Sequence, residues 1–385
     1  MTPSDYPRFA SFEQAIAALQ PVEPVYCLHP EKFKAAAQRF LDGFPGDAMY
    51  AVKANPAPQV LDLVWASGIR HFDTASLGEV TMIKTRFPAA NCHFMAPVRI
   101  PGHAKAAFER FGVTDYVIDC DDELDKLAAE TGDAKQLRIF VRLAAQLGGA
   151  LLELSSKFGT GPDEGARLLK RIAALGAQPC LTFHVGSQCL SPFSYAQAIE
   201  ITRRTIGKAG VRIGALDIGG GFPGPYSSND LPPYLWYFDT IKEALATLER
   251  PDLPILCEPG RALTAEGLSV ITQVILRKGD RLYLNDGVYG SFDELTLPGF
   301  DVDYPNRVFR RDAKGAVAPL AGGLKPFRVY GPTCDTLDVL PRPQMLPEGI
   351  KAGDFVVFGA MGAYTVAVRT TFNGFYPDTW VQVGN

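Results

Sequence analysis

The stretch Tyr50–Asn55 reads YAVKAN and places Lys53 just where an apolar run stops. Alone, such a lysine marks a solvated strand end. Further along the chain, other reactive residue types close similar runs. They are Asp73 in HFDTAS, Asp119 in DYVIDC, Arg142 in RIFVRL, His184 in CLTFHVG, Gly219, Gly220 and Gly221 in ALDIGGG, and Glu258 in PILCEPG. Each by itself fits a satisfied strand end or a turn. As a set they offer an amine, carboxylates, an imidazole and side-chain-free backbone.

The chemistry of the set can be read group by group. Three successive glycines let backbone N–H groups approach a phosphate closely. His184 supplies a flat ring and Ser187, in HVGSQ, a hydroxyl. Glu258 and Arg261 bracket the Pro259–Gly260 turn in CEPGR. A carboxylate there can keep a proton on a heterocyclic nitrogen, and an arginine can reach a phosphate. A lysine, a phosphate cradle, a stacking ring and a carboxylate for a ring nitrogen together describe pyridoxal 5'-phosphate, held on Lys53 as a Schiff base.

Convergence of these residues depends on the elements that carry them. Eight short apolar runs, from AMYAVK (48–53) to PILCEPG (254–260), alternate with amphipathic stretches such as DELDKLAAET, EGARLLKRIAALG and FDTIKEALATLER. Strand alternating with helix implies parallel pairing, and near-continuous apolar runs fit strands covered on both faces. Eight units over about 210 residues predict a (β/α)8 barrel, whose chemistry gathers at the C-terminal strand ends. A doubly wound open sheet is the rival, but no G-x-G-x-x-G opens the first turn. Beyond residue 262 the texture turns to alternating, glycine-punctuated runs such as LSVITQVILRK and TWVQVGN. The expected domains are a barrel over 26–262 and an all-β domain from 263–385 joined by 1–25.

Composition narrows the function classes. The 385 residues are 47% hydrophobic and 21% charged, enough for a large core. The net charge of 38 − 42 = −4, without a basic block, argues against nucleic acid or an anionic membrane surface as partner. No apolar run approaches the ~18 residues of a membrane span. The N-terminus lacks a charged-then-apolar leader pattern. Seven scattered cysteines with no C-x-x-C pair argue against a metal site or a disulfide framework, and a cytoplasmic setting is expected.

The motifs YAVKAN, FDTASLGE, HVGSQ, LDIGGGFPG, EPGR, NDGVYGSF, GPTCDTLD and GAYT followed by FNGF run in order from about residue 26 to 376. In that order the chain resembles the alanine-racemase-fold pyridoxal-phosphate decarboxylases, with the ornithine/lysine branch nearest. The resemblance implies that Lys53 carries the cofactor, His184 stacks on its ring and Glu258 binds its nitrogen, with Asp73 and Arg142 nearby. It assigns the phosphate to Ser187, Gly221, Gly260, Arg261 and Tyr364. It also implies a homodimer with shared sites, in which Cys334 and Asp335 reach the partner's small-molecule substrate. Cys334 would protonate the product carbon; a small buried apolar role is its plainer alternative.

The sequence departs from that pattern after NDGVYGSF. Ornithine decarboxylases usually carry there a Tyr-Asp pair that grips the distal amine, whereas this chain reads DELTLPGFDVDYPNRVF. In direct register the aspartate's place falls near Pro298. Asp301, Asp303 or Glu294 could substitute, or they form an acidic solvated loop. L-Ornithine, giving putrescine, is the first expected substrate; lysine, arginine, diaminopimelate and carboxynorspermidine follow. Diaminopimelate decarboxylases usually read CES where this chain has CDT. A racemase on this fold would set arginine, not Glu258, against the ring nitrogen. A non-catalytic regulator on the same scaffold would be expected to lose Lys53 or Cys334.

Overall fold

The computed structural model describes residues 6–145, 148–153, 156–227 and 230–384. All eight expected strands form: Asp47–Ala51, His71–Thr74, Asn91–Phe94, Asp115–Ile118, Arg138–Leu143, Gln178–Phe183, Leu216–Asp217 and Ile255–Cys257. They pair in parallel, and the last closes on the first through Leu256 opposite Asp47 and Cys257 opposite Ala48. The result is the expected (β/α)8 barrel.

The barrel is filled. Met49, Met95, Val117, Phe140, Cys180, Ala215 and Leu256 form one buried interior cluster. Outward-facing residues such as Tyr50, Phe72, Tyr116 and Phe183 pack into the main core with the helices. Alternation of side chains across each strand produces these two populations. With the centre plugged, polar groups can gather only at a rim. Local signals set the helices around it. In ASLGE, Ser76 accepts from the Glu79 N–H at 3.2 Å while Glu79 accepts from the Ala75 N–H at 2.6 Å, a reciprocal cap for the helix Leu77–Arg86. The helix Asp121–Thr131 opens on three acidic residues, which suit its positive end.

The chain then enters the all-β domain. Its longest strand, Leu268–Lys278, pairs with Val25–Leu28, Arg281–Leu284 and Phe355–Phe358. Thr379–Val383 lies parallel to Val25–Leu28 on the other side. The helix Phe12–Leu19 buries Phe12, Ala15 and Ile16 against this sheet. The strand Val25–Leu28 straddles the 25/26 boundary expected from sequence, and its ladder partners all lie in the sheet domain. The run GDFVVFGAMGAYTVAV, read as sheet material, holds strand only over Phe355–Phe358. Beyond it the chain doubles back toward the barrel. A Cβ at Gly362 would stand 1.7 Å from the Thr264 carbonyl oxygen, and Tyr364 takes a left-handed φ of 53°. A bulky residue in that region costs energy and often marks a working position.

Candidate active site

Lys53 sits in the 3-10 turn Val52–Ala54 that ends the first barrel strand. Tyr50 donates to the Asn55 carbonyl at 2.9 Å, and Asn55 donates to the Gly362 carbonyl at 2.9 Å. The Tyr364 N–H donates to the Ala54 carbonyl at 2.8 Å. The lysine turn is thus tied directly to the doubled-back segment of the second domain. Asn55 is fully buried, and its polar atoms are used on both sides of this tie.

Lys53 donates to Asp73 Oδ2 at 2.6 Å. Asp73 is buried, while the lysine side chain is 42% accessible. Dense surroundings oppose its charge, but Asp73, Glu258 and Tyr364 outweigh them and raise its pKa. Across the floor, Glu258 and Asp217 form a buried pair of carboxyls. Burial first, then Asp217 and Asp73, push Glu258 well above the usual carboxylate range. Asp217 is pushed up by burial to about 6, although it accepts from Thr182 Oγ1 at 2.6 Å and from the Gly219 N–H at 2.9 Å. Two carboxyls in a dry site cannot both ionise, so the pair keeps a proton.

His184 is buried beside them. Its Nδ1 accepts from the Gly186 N–H at 3.0 Å, which leaves Nε2 as the protonated nitrogen of the neutral ring. Burial, then Arg142 and Lys53, hold its pKa well below the ordinary histidine value. Arg142 therefore acts here through its field; its guanidinium lies 5.7 Å from the Phe158 ring. Asp119 accepts from the Gly159 N–H at 2.9 Å and belongs to the rim loops.

The glycines are required by packing. Gly219, at φ +66°, would place a Cβ 2.1 Å from the Phe183 carbonyl oxygen; Gly221, at φ +98°, would place one 2.3 Å from that of Gly186. A Cβ at Gly220 would come within 3.0 Å of His184 Nε2. Pro259 accepts from the Ala51 N–H, and Gly260 packs where a Cβ would meet Ala54. Arg261 is buried with its guanidinium 4.8 Å from the Tyr364 ring and 4.7 Å from that of Phe300. It donates to Ser187 Oγ at 3.2 Å and to the Tyr226 hydroxyl at 2.5 Å. Glu294 engages both terminal nitrogens, one at 2.8 Å and the other closer.

These residues fit pyridoxal phosphate. The buried Arg261 Nε has no partner, an orphan donor that a phosphate oxygen would satisfy. The buried Glu258 is available for a ring nitrogen, and a Cβ at Gly220 would come within 3.0 Å of His184 Nε2, so this backbone can lie close to the ring side of the mouth only as glycine.

Not every expected residue joins the mouth. Asp301 is exposed and stands 3.9 Å from Arg342, and Asp303 reaches the same guanidinium at 3.0 Å. Both line a surface cavity with Pro341 and Gln344, not with Lys53. Glu294 is buried and committed to Arg261. Cys334 is exposed on the second domain and Asp335 beside it is half-buried, with Cys334 N–H donating to Asn373 Oδ1 at 3.1 Å and Tyr289 donating to Asp335 Oδ2 at 2.5 Å. Asp217 and Asn55 received no role from the sequence. Their signals were present: an aspartate two residues before the first of the glycines, and an asparagine two residues after the lysine.

Comparison with known proteins agrees with this geometry. The family model of the pyridoxal-dependent decarboxylases, pyridoxal-binding domain, matches residues 30–265. The lysine/ornithine decarboxylase of Selenomonas ruminantium is 34% identical over 336 residues, 85% of this chain and 81% of that protein. The Vibrio vulnificus lysine/ornithine decarboxylase complexed with putrescine matches with a TM-score of 0.82 at 28% identity, over 97% of this chain and 99% of that one. The arginine decarboxylase of Paramecium bursaria Chlorella virus, bound to agmatine, matches at 0.83 and 27%, over 96% and 98%. The chain belongs to the pyridoxal-dependent decarboxylases. It is an amino-acid decarboxylase, and its cofactor is pyridoxal 5'-phosphate.

Proposed function

We propose that this enzyme decarboxylates a basic L-amino acid, with L-ornithine, giving putrescine and CO2, as the first assignment. The observation that carries the reading is the lysine mouth itself: Lys53 paired with Asp73 at 2.6 Å above the buried carboxyls of Glu258 and Asp217. The cofactor ring, when bound, accepts the electron pair left by the departing CO2.

The chain's own residues divide the remaining work. Lys53 is the amine that would hold the cofactor at the mouth. Asp73, 2.6 Å from the Lys53 amine, orients that amine toward the mouth. Glu258, its pKa pushed up by burial, would hold a proton at the ring nitrogen and so favour the ring's electron demand. A neutral His184 would cover the ring without adding a positive charge that opposes that proton. Ser187, Gly219, Gly220, Gly221, Gly260, Arg261 and Tyr364 bound the phosphate end.

Substrate choice rests on what the mouth lacks. Asp301 and Asp303 are turned to Arg342, and Pro298 stands where relatives of the ornithine branch carry an aspartate. Asp335 of a second copy then remains to meet the distal ammonium, with Cys334 beside it to return a proton to the product carbon. A homodimer is supported by the surface around these two residues. Leu337 is 71% exposed there, and Phe372, Phe375 and Tyr376 are also uncovered. Phe372 packs 4.6 Å from the Tyr289 ring that serves Asp335. Cytoplasmic residence fits the absence, among the described residues, of any helix long and apolar enough to cross a membrane.

The test is CO2 release with identification of the amine from L-ornithine, L-lysine, L-arginine and meso-diaminopimelate. Ornithine is expected to lead, with lysine next. Cofactor-loaded protein that releases CO2 from none of them would defeat the substrate class.

A further inference from the structure

Arg261 and Glu294 are each buried to within a few per cent, and the carboxylate spans both terminal nitrogens of the guanidinium. That bidentate pairing is the strong geometry for these two groups. Tyr226 and Ser187 occupy the same nitrogens from other directions, and only Nε is unpartnered. A phosphate entering this end of the mouth therefore meets an arginine whose charge is already balanced. Glu294 itself would lie near a second anion. We propose that Glu294 is a positioning residue that competes with the cofactor phosphate for Arg261, and thereby keeps the phosphate grip weak enough for the cofactor to exchange.

The inference rests on the placement of pyridoxal phosphate at this mouth. Its physics is that of a broken buried pair. Removing one partner leaves the other as an uncompensated buried charge, which is costly until a new counter-ion arrives. With Glu294 neutralised, cofactor-free protein should lose stability, and a phosphate should restore it.

The experiment compares wild type with Glu294→Gln in three titrations: pyridoxal phosphate, pyridoxal without its phosphate, and inorganic phosphate alone. The variant should bind pyridoxal phosphate at least about tenfold more tightly, a step of about 1.4 kcal/mol. Its melting temperature should rise more with inorganic phosphate than that of wild type, while pyridoxal should bind both alike. If the variant does not fold without cofactor, holoenzyme of each is prepared and the dissociation rate of the cofactor into hydroxylamine is measured; the variant should be slower. Weaker or faster-leaving cofactor in the variant would mean that Glu294 merely holds Arg261 in place, and the proposal fails. Unchanged cofactor affinity with a raised KM for the diamino acid would make Glu294 a substrate group, which also overturns it. Borohydride reduction and peptide mapping separate this from the parent reading, because label on Lys53 keeps the cofactor placed whatever Glu294 does.

Discussion

Asp217 and Glu258 lie side by side in the buried barrel floor. Burial, then the charges of Asp217 and Asp73, push Glu258 well above the usual carboxylate range, which favours its protonated form where a ring nitrogen would bind.

Glu258→Gln should retain the cofactor, because the phosphate end and Lys53 are untouched, and should lose rate. An amide cannot hold the ring nitrogen protonated as a carboxyl does. Loss of one charge-assisted hydrogen bond of ~1.5–3 kcal/mol corresponds to roughly 10- to 150-fold in turnover. Turnover on ornithine, with cofactor content measured by absorbance, checks this. Wild-type turnover with the chemical step rate-limiting would give Glu258 another task.

His29 gives a prediction about pH. It is buried where the domains meet, with Nδ1 donating to the Val383 carbonyl at 3.0 Å and Nε2 accepting from Ser269 Oγ at 2.9 Å. Burial lowers its pKa to about 4, the Val383 carbonyl resists the shift, and Lys32 and Arg307 assist it. Between pH 6.5 and 4 the unfolded chain holds the proton and the folded chain does not. Stability from this group is therefore complete above pH 6.5 and falls as the pH drops toward 4, by roughly 3 kcal/mol in all. Asp217 and Asp286, both pushed up to about 6, act with the opposite sign over part of that range. The His29 contribution is thus the difference between wild type and His29→Gln in urea unfolding at pH 7.5 and 5. The gap should narrow at the lower pH; a constant gap would show that His29 does not titrate on unfolding.

The proposed homodimer predicts recovery from two dead proteins. If Cys334 and Asp335 serve the partner's mouth, Lys53→Ala and Cys334→Ala proteins complement each other. Random exchange at equal amounts makes about half of the dimers mixed, each with one site carrying both defects and one carrying neither. About a quarter of wild-type activity should return. Exchange verified by tagged subunits without recovery would place Cys334 in its own subunit's site or outside catalysis.

Much of the mouth was legible because parallel strands buried on both faces read as apolar runs, so a polar residue at the C-terminal end of each stands out. Lys53, Asp73, His184 and Glu258 announce themselves in this way. What escaped depends on folding at a distance. Glu294 and Arg261 are 33 residues apart and meet only once the second domain folds back, so nothing local distinguishes Glu294 from Asp301 in the same acidic loop. Asp301 turns out to Arg342, which is 41 residues on. The segment Val25–Leu28 is equally opaque, because a four-residue apolar strand looks the same in a barrel or in a sheet.

That strand has a consequence for synthesis on the ribosome. Val25–Leu28 emerges early, yet its antiparallel neighbour begins at Leu268, a delay of 268 − 28 = 240 residues. At about 5–20 residues per second, that is on the order of 10–50 s. During this interval the whole barrel can fold, while four fully buried residues of the finished enzyme, Val25, Tyr26, Cys27 and Leu28, have no sheet to enter. The nascent chain thus carries an open, sticky strand with neither edge paired until Leu268 emerges, and with one edge open until Thr379 follows.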